Sequence, residues 1–126
     1  MTDHSAEVEW QVDSMTMRGT LVRPLGNGPL SAAVFVAGSG PTDRDWNSPL
    51  LPGANGSARL IAEELARAGF ASLRYDKRAS GPLAREYVPR MIGKISMRSH
   101  VDELHGAVRR LAWPANPKMD FVTTRY

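Results

Sequence analysis

Ala32-Ala33-Val34-Phe35-Val36-Ala37-Gly38-Ser39-Gly40-Pro41-Thr42-Asp43-Arg44-Asp45-Trp46-Asn47 joins an apolar run to a glycine turn and a charged loop. Six apolar residues in a row, without polar alternation, predict a strand buried on both faces, as in a parallel sheet. In open α/β sheets ligands bind beyond the carboxyl ends of such strands. Gly38 and Gly40 permit positive φ and close backbone approach, so the amides of Ser39 and Gly40 can converge on an anion or a developing oxyanion. Glycine pairs also close strands that bind nothing. The residues after this pair favour a site: Asp43, Arg44, Asp45 and Asn47 place more charge and amide chemistry beside the turn than a connector needs. Ion pairs and carboxylate-to-backbone hydrogen bonds would hold such a loop still.

Outward from this stretch, the residues before it alternate. Val8-Glu9-Trp10-Gln11-Val12 and Met17-Arg18-Gly19-Thr20-Leu21-Val22 flank Asp13-Ser14 and predict an antiparallel edge hairpin within residues 1–24. The stretch from Pro24 to Ser31 is rich in Gly and Pro and predicts a loop. After the charged loop, Ser57 is expected to cap a helix whose apolar face is Leu60, Ile61, Leu65 and Ala68, ended by Gly69. Ala71-Ser72-Leu73-Arg74-Tyr75 then reads as a strand, making residues 32–75 a strand-helix-strand crossover in a parallel sheet. Its polar continuation, Asp76-Lys77-Arg78-Ala79-Ser80-Gly81-Pro82, should share a rim with the first loop. Residues 99–124 predict a helix and a final strand. Ser99 with Asp102 resembles a capping box, Val101, Leu104, Val108 and Leu111 form the apolar stripe, and Trp113-Pro114-Ala115-Asn116-Pro117 ends the helix.

With 126 residues, 42% of them hydrophobic and 23% charged, the chain is expected to form one soluble domain. No apolar run approaches a membrane span of about 18 residues, and the first residues lack a secretory signal, so the expected address is cytoplasmic. The absence of cysteine removes thiol chemistry and the strongest zinc ligand sets. His4, His100 and His105 have no ligand spacing, so no metal is expected, and the last two read as helix surface or margin. Net charge is +3, and seven basic residues stand against two acidic ones between Arg74 and Arg98. Without interleaved aromatic platforms or a nucleic-acid motif, that run reads as a solvated face rather than a nucleic-acid surface.

In this order, the hairpin, strand, Gly38-to-Asn47 motif, helix, strand, Tyr75-Asp76-Lys77-Arg78, helix and final strand resemble the amino-terminal half of an α/β-hydrolase. The resemblance is to the esterase, thioesterase and dienelactone-hydrolase-like branch and covers residues 17–122. It implies an α/β fold: a partial α/β-hydrolase sheet with an antiparallel hairpin, parallel strands and helices packed on them. It also implies that the backbone N–H of Ser39 is an oxyanion-hole donor. Gly38, Gly40, Asp43, Arg44, Asp45 and Asn47, with Asp76, Lys77 and Arg78, would organise the two loops. The substrate implied is a small acyl ester or thioester, and no cofactor is needed.

In the family the G-x-S-x-G elbow follows the fifth strand. None of the ten serines here has glycine two residues before and two after. The expectation is therefore a chain that stops before its nucleophile, inactive alone, with an exposed sheet edge open to self-association. Two positions depart from the pattern: Trp46 and Ala79 stand where the family commonly has glycine, and the polar tail from Lys118 matches poorly. The rival readings are an anion- or nucleotide-binding half-domain and an interaction fragment that needs a complementary chain. Against the first, Asp43 occupies the third glycine position of G-x-G-x-x-G, where an anion would repel a pyrophosphate.

Overall fold

A computed structural model describes residues 3–13, 15–25, 31–38, 41–50, 52–78, 80–81, 93, 95–112 and 120–125. The loop at 26–30, Ser39, Gly40, Ala79, Pro82 and the helix-ending stretch 113–117 lie outside the described residues. The elements are β1 (Asp3–Val12), β2 (Met15–Pro24), β3 (Ser31–Val36), α1 (Ser57–Arg67), β4 (Phe70–Asp76), α2 (Met97–Ala112) and β5 (Asp120–Arg125). The strands form one sheet in the order β1-β2-β4-β3-β5.

The predicted hairpin is present and longer than its alternation suggested, with Val12 opposite Met15 across the turn. Asp13 takes φ 50 there, the left-handed conformation that lets a tight hairpin follow the twist of its strands. β2 runs antiparallel to β4, whereas β3 lies parallel to both β4 and β5. Val34 stands opposite Leu73, so the expected strand-helix-strand crossover is formed between adjacent parallel strands.

β3 is buried on both faces because a helix covers each. On one side Val34, Leu73, Tyr75, Val8 and Val12 pack with Ala107 and Leu111 of α2. Trp10 joins them, its ring edge-on to Tyr75 with centroids 5.8 Å apart. On the other side Ala33, Phe35 and Val22 pack with Ala58, Ala62 and Ala66 of α1.

Both helices correct the sequence reading in detail. In α1, Leu60 and Ile61 remain 51% and 41% exposed, while the alanines at every fourth position are buried. Small side chains let the helix lie close over Ala33 and Phe35, so size rather than hydropathy selects the buried face. Ser57 is the first helical residue and not the cap. Gly56 precedes it at φ 61 without a side-chain cap, and the early amides instead reach Asn55 Oδ1 and the Asp45 carbonyl. Gly69 follows the helix at φ 91, as the sequence predicts, and its N–H reaches the Ala66 carbonyl. α2 begins before Ser99, because the capping box is Ser96 with Ser99: each hydroxyl accepts the other's backbone N–H, at 3.1 and 2.9 Å. Asp102 pairs with Arg98 instead.

Candidate functional site

The two polar loops do share the rim at the carboxyl ends of β3 and β4. Gly38 is half-buried at the end of β3, and Ser39 and Gly40 lie outside the described residues. Beyond them the chain folds onto itself around Asp43. Its Oδ1 accepts the N–H groups of Asp45 and Asn47, both at 2.9 Å. Backbone bonds between Asp43 and Asn47 and between Trp46 and Asp43 close the turn. Asn47 Oδ1 accepts the Gly56 N–H and so ties the loop to the start of α1.

Trp46 adopts φ 63, a conformation glycine takes freely and other residues take at about 1–2 kcal/mol. Its ring packs on Phe35 with centroids 5.6 Å apart, and burial of an indole offsets that strain. The departure from glycine at this position is thereby accommodated without loss of the turn.

Arg44 is the hub of the loop. Its backbone N–H and two guanidinium nitrogens bond Asp76 at the end of β4, and Nη1 reaches Glu7 of β1 and Thr20 of β2. Burial alone would lower the Arg44 pKa, but Asp76 and Glu7 outweigh it and raise it further. Asp45 bonds Arg74 Nε at 2.8 Å, an arginine that is only 5% exposed in the middle of β4. Between this loop, the hairpin and β4 lies a polar cavity of about 450 Å³. It carries Glu7, Asp43, Asp45 and Asp76 against Arg44 and Arg74, a formal charge of −2.

The second loop grips the first. Lys77 Nζ donates to the Thr42 carbonyl at 3.0 Å. Burial lowers the Lys77 pKa, and Glu103, Asp76 and Asp43 offset this only in part. Arg78 turns the other way, toward α2, where its N–H donates to the fully buried Glu103 at 2.8 Å. Among the described residues no cluster of metal-ligating side chains occurs, and no helix is long and apolar enough to cross a membrane.

The residues singled out from the sequence that are described, namely Gly38, Asp43, Arg44, Asp45, Asn47, Asp76, Lys77 and Arg78, thus stand along one rim. The sequence reading missed Glu7, Thr20, Arg74 and Glu103. Two of these carried a signal: an arginine inside a strand buried on both faces, and a glutamate in register with Ser99, Ala107 and Leu111 on the core side of α2. His100, expected at the helix margin, is half-buried with Nδ1 3.0 Å from Glu103 Oε2, while His105 is exposed.

No family model matches the sequence, and no curated protein matches it. The likeness lies in structure. A dienelactone hydrolase from Anabaena variabilis superposes with TM-score 0.70 at 22% identity, over 99% of this chain and 52% of that one. An acylaminoacyl peptidase from Pyrococcus horikoshii gives 0.66 at 15%, over 99% of this chain and 19% of that one. Brefeldin A esterase, a bacterial homologue of human hormone-sensitive lipase, gives 0.65 at 19%, over 98% and 31%. The chain spans about half the length of the first of these relatives, and less of the others. Its fold is that of part of an α/β-hydrolase.

Proposed function

We propose that this α/β-hydrolase half supplies the oxyanion side of a serine hydrolase acting on small carboxylic esters or thioesters. The backbone N–H of Ser39 is the donor, and the nucleophile, acid and histidine belong to sequence beyond these residues. The observation that supports it is the anchoring of the loop after β3 by consecutive residues of β4's end: Asp76 on the Arg44 N–H and Lys77 on the Thr42 carbonyl. A donor fixed before reaction costs no reorganisation when charge develops, and one such donor is typically worth about 3 kcal/mol in acyl transfer.

The negative cavity beside the loop speaks against the rival reading as a phosphate or nucleotide module, since a polyphosphate would face net repulsion there. Among the described residues β5 is the terminal strand in the order, next to β3. Self-association through that edge belongs to the same proposal, and size-exclusion chromatography reads it directly.

The test is hydrolysis of p-nitrophenyl acetate and of an acyl thioester by the purified chain. The expected result is no turnover above buffer, with G-x-S-x-G encoded in the reading frame that continues past Tyr126. Robust serine-dependent hydrolysis by these residues alone would overturn the division of labour.

A further inference from the structure

Glu103 is a fully buried carboxylate that the proposed chemistry does not use. A charge without water persists only where partners satisfy it. Its Oε1 accepts the backbone N–H of Arg78 at 2.8 Å and lies 3.3 Å from Arg78 Nε, while Oε2 faces His100 Nδ1 at 3.0 Å. Arg78 continues to Asp13 at the hairpin turn, with Nη2 3.0 Å from Oδ2.

Arg78 is the third of three consecutive residues that each hold something different. Asp76 holds the Arg44 amide and guanidinium, Lys77 holds the Thr42 carbonyl, and Arg78 is itself held by Glu103. The turn after them is closed on Lys77, whose carbonyl accepts both the N–H and the hydroxyl of Ser80. Gly81 then passes so near Asp76 that a Cβ would stand 2.5 Å from its carboxyl carbon. Asp76, Lys77, Arg78, Ser80 and Gly81 therefore form a short rigid bracket. One end is fixed to α2, on one face of the sheet, and the other to the loop whose Trp46 packs on the opposite face.

From this we infer that Glu103 is a positioning residue for the charged loop at residues 42–47 that follows the turn after β3, acting through Arg78, Lys77 and Thr42 across the rim. The inference rests on the proposed role of that turn. Its test reads the order of the loop and not hydrolysis, so the two fail separately.

Stability alone would not need a carboxylate here, because a well-packed apolar residue often replaces a buried ion without loss. What an apolar residue cannot do is accept the Arg78 N–H.

Native-state amide exchange on the purified chain decides the matter, comparing Glu103→Ala, Glu103→Gln and Lys77→Met with Leu111→Ala as a core variant of lowered stability. Exchange at Arg44, Asp45 and Asn47 is expected to rise about tenfold more in Glu103→Ala than in Leu111→Ala, after correction for global stability. Glu103→Gln keeps the acceptor for Arg78 and should restore most of the protection. Lys77→Met should expose the loop amides while the Arg78 amide stays protected, which orders the links. Equal exchange in Glu103→Ala and Leu111→Ala would reduce Glu103 to a contributor to stability and overturn the inference. Should Glu103→Ala fail to fold, loop amides that stay protected in Lys77→Met would overturn it equally.

Discussion

Arg44 and Asp76, 32 residues apart, are joined by three hydrogen bonds: the Arg44 N–H to Oδ1 at 2.8 Å, and Nε and Nη2 to Oδ2 at 3.2 and 2.8 Å. Their side chains are 16% and 11% exposed, so the pair is only weakly screened by water. Removing the carboxylate strands a backbone donor and a guanidinium together. Asp76→Ala should cost about 2–4 kcal/mol, and Arg44→Lys, which loses the planar fork, about 1–2 kcal/mol. Urea denaturation checks both. An Asp76→Ala midpoint equal to the parent's would remove the pair from the account of what fixes the loop.

Glu7 carries the acid sensitivity of the same network. Burial pushes its carboxyl up, but the Thr20 hydroxyl and the Arg44 guanidinium more than offset this and hold it below 4.5. A carboxylate lowered on folding contributes stability that is complete above its unfolded value and lost as pH falls through its folded value. Because the side chain is 70% exposed, the contribution is small. The melting temperatures of the parent and Glu7→Gln should therefore differ modestly at neutral pH and converge as pH falls below 4.5. Lys77 gives a slope of the same sign in an alkaline window, although there it is the charged form that burial disfavours. Burial holds its ammonium below 10.5, so just under that pH the unfolded chain binds more protons and stability rises with pH. Melts of Lys77→Met should lack this rise.

The backbone path is legible because it is written locally. An unbroken apolar run, a helix-length gap and a second short run predict adjacent parallel strands, and Val34 stands opposite Leu73. The two polar loops obey the same rule, since parallel strands end on one side. What connects them is not legible. Arg44 meets Asp76, and Arg74 meets Asp45, across 32 and 29 residues, a pairing that local periodicity does not encode. The buried face of α1 is hidden for another reason: alanine gives a weak hydropathy signal although its small volume decides how closely helix and sheet approach. Glu103 escapes notice because charge is ordinarily a mark of the solvent face.

Gly106 sets helix propensity against packing. Alanine in a helix interior is favoured over glycine by about 1 kcal/mol. A Cβ at this position, however, would stand 2.6 Å from Val12 Cγ2 and 2.9 Å from Trp10 Nε1. Both belong to the seam where α2 crosses β1, and overpacking of that kind costs about 1–3 kcal/mol. Packing should win, so Gly106→Ala is expected to lower the thermal midpoint. A raised midpoint would mean that α2 and β1 stand too far apart to make this seam. Trp10 fluorescence reports on the seam at the same time.

The two faces of α1 give opposite expectations that hydropathy alone would invert. Leu60 is 51% exposed, so Leu60→Ala should change stability by no more than about 0.5 kcal/mol. Ala62 is fully buried in one cluster with Ala58, Ala66 and Phe35, and leucine would add three carbons there. Ala62→Leu should therefore cost about 1–3 kcal/mol, although leucine is the more hydrophobic residue and a good helix former. Chemical denaturation of the two variants reads the orientation of the helix. A large loss at Leu60 with a neutral Ala62→Leu would turn α1 about its axis. Because Asn47 Oδ1 holds the Gly56 amide and the Asp45 carbonyl receives the Ala58 N–H, such a turn would also remove the support of the loop after β3.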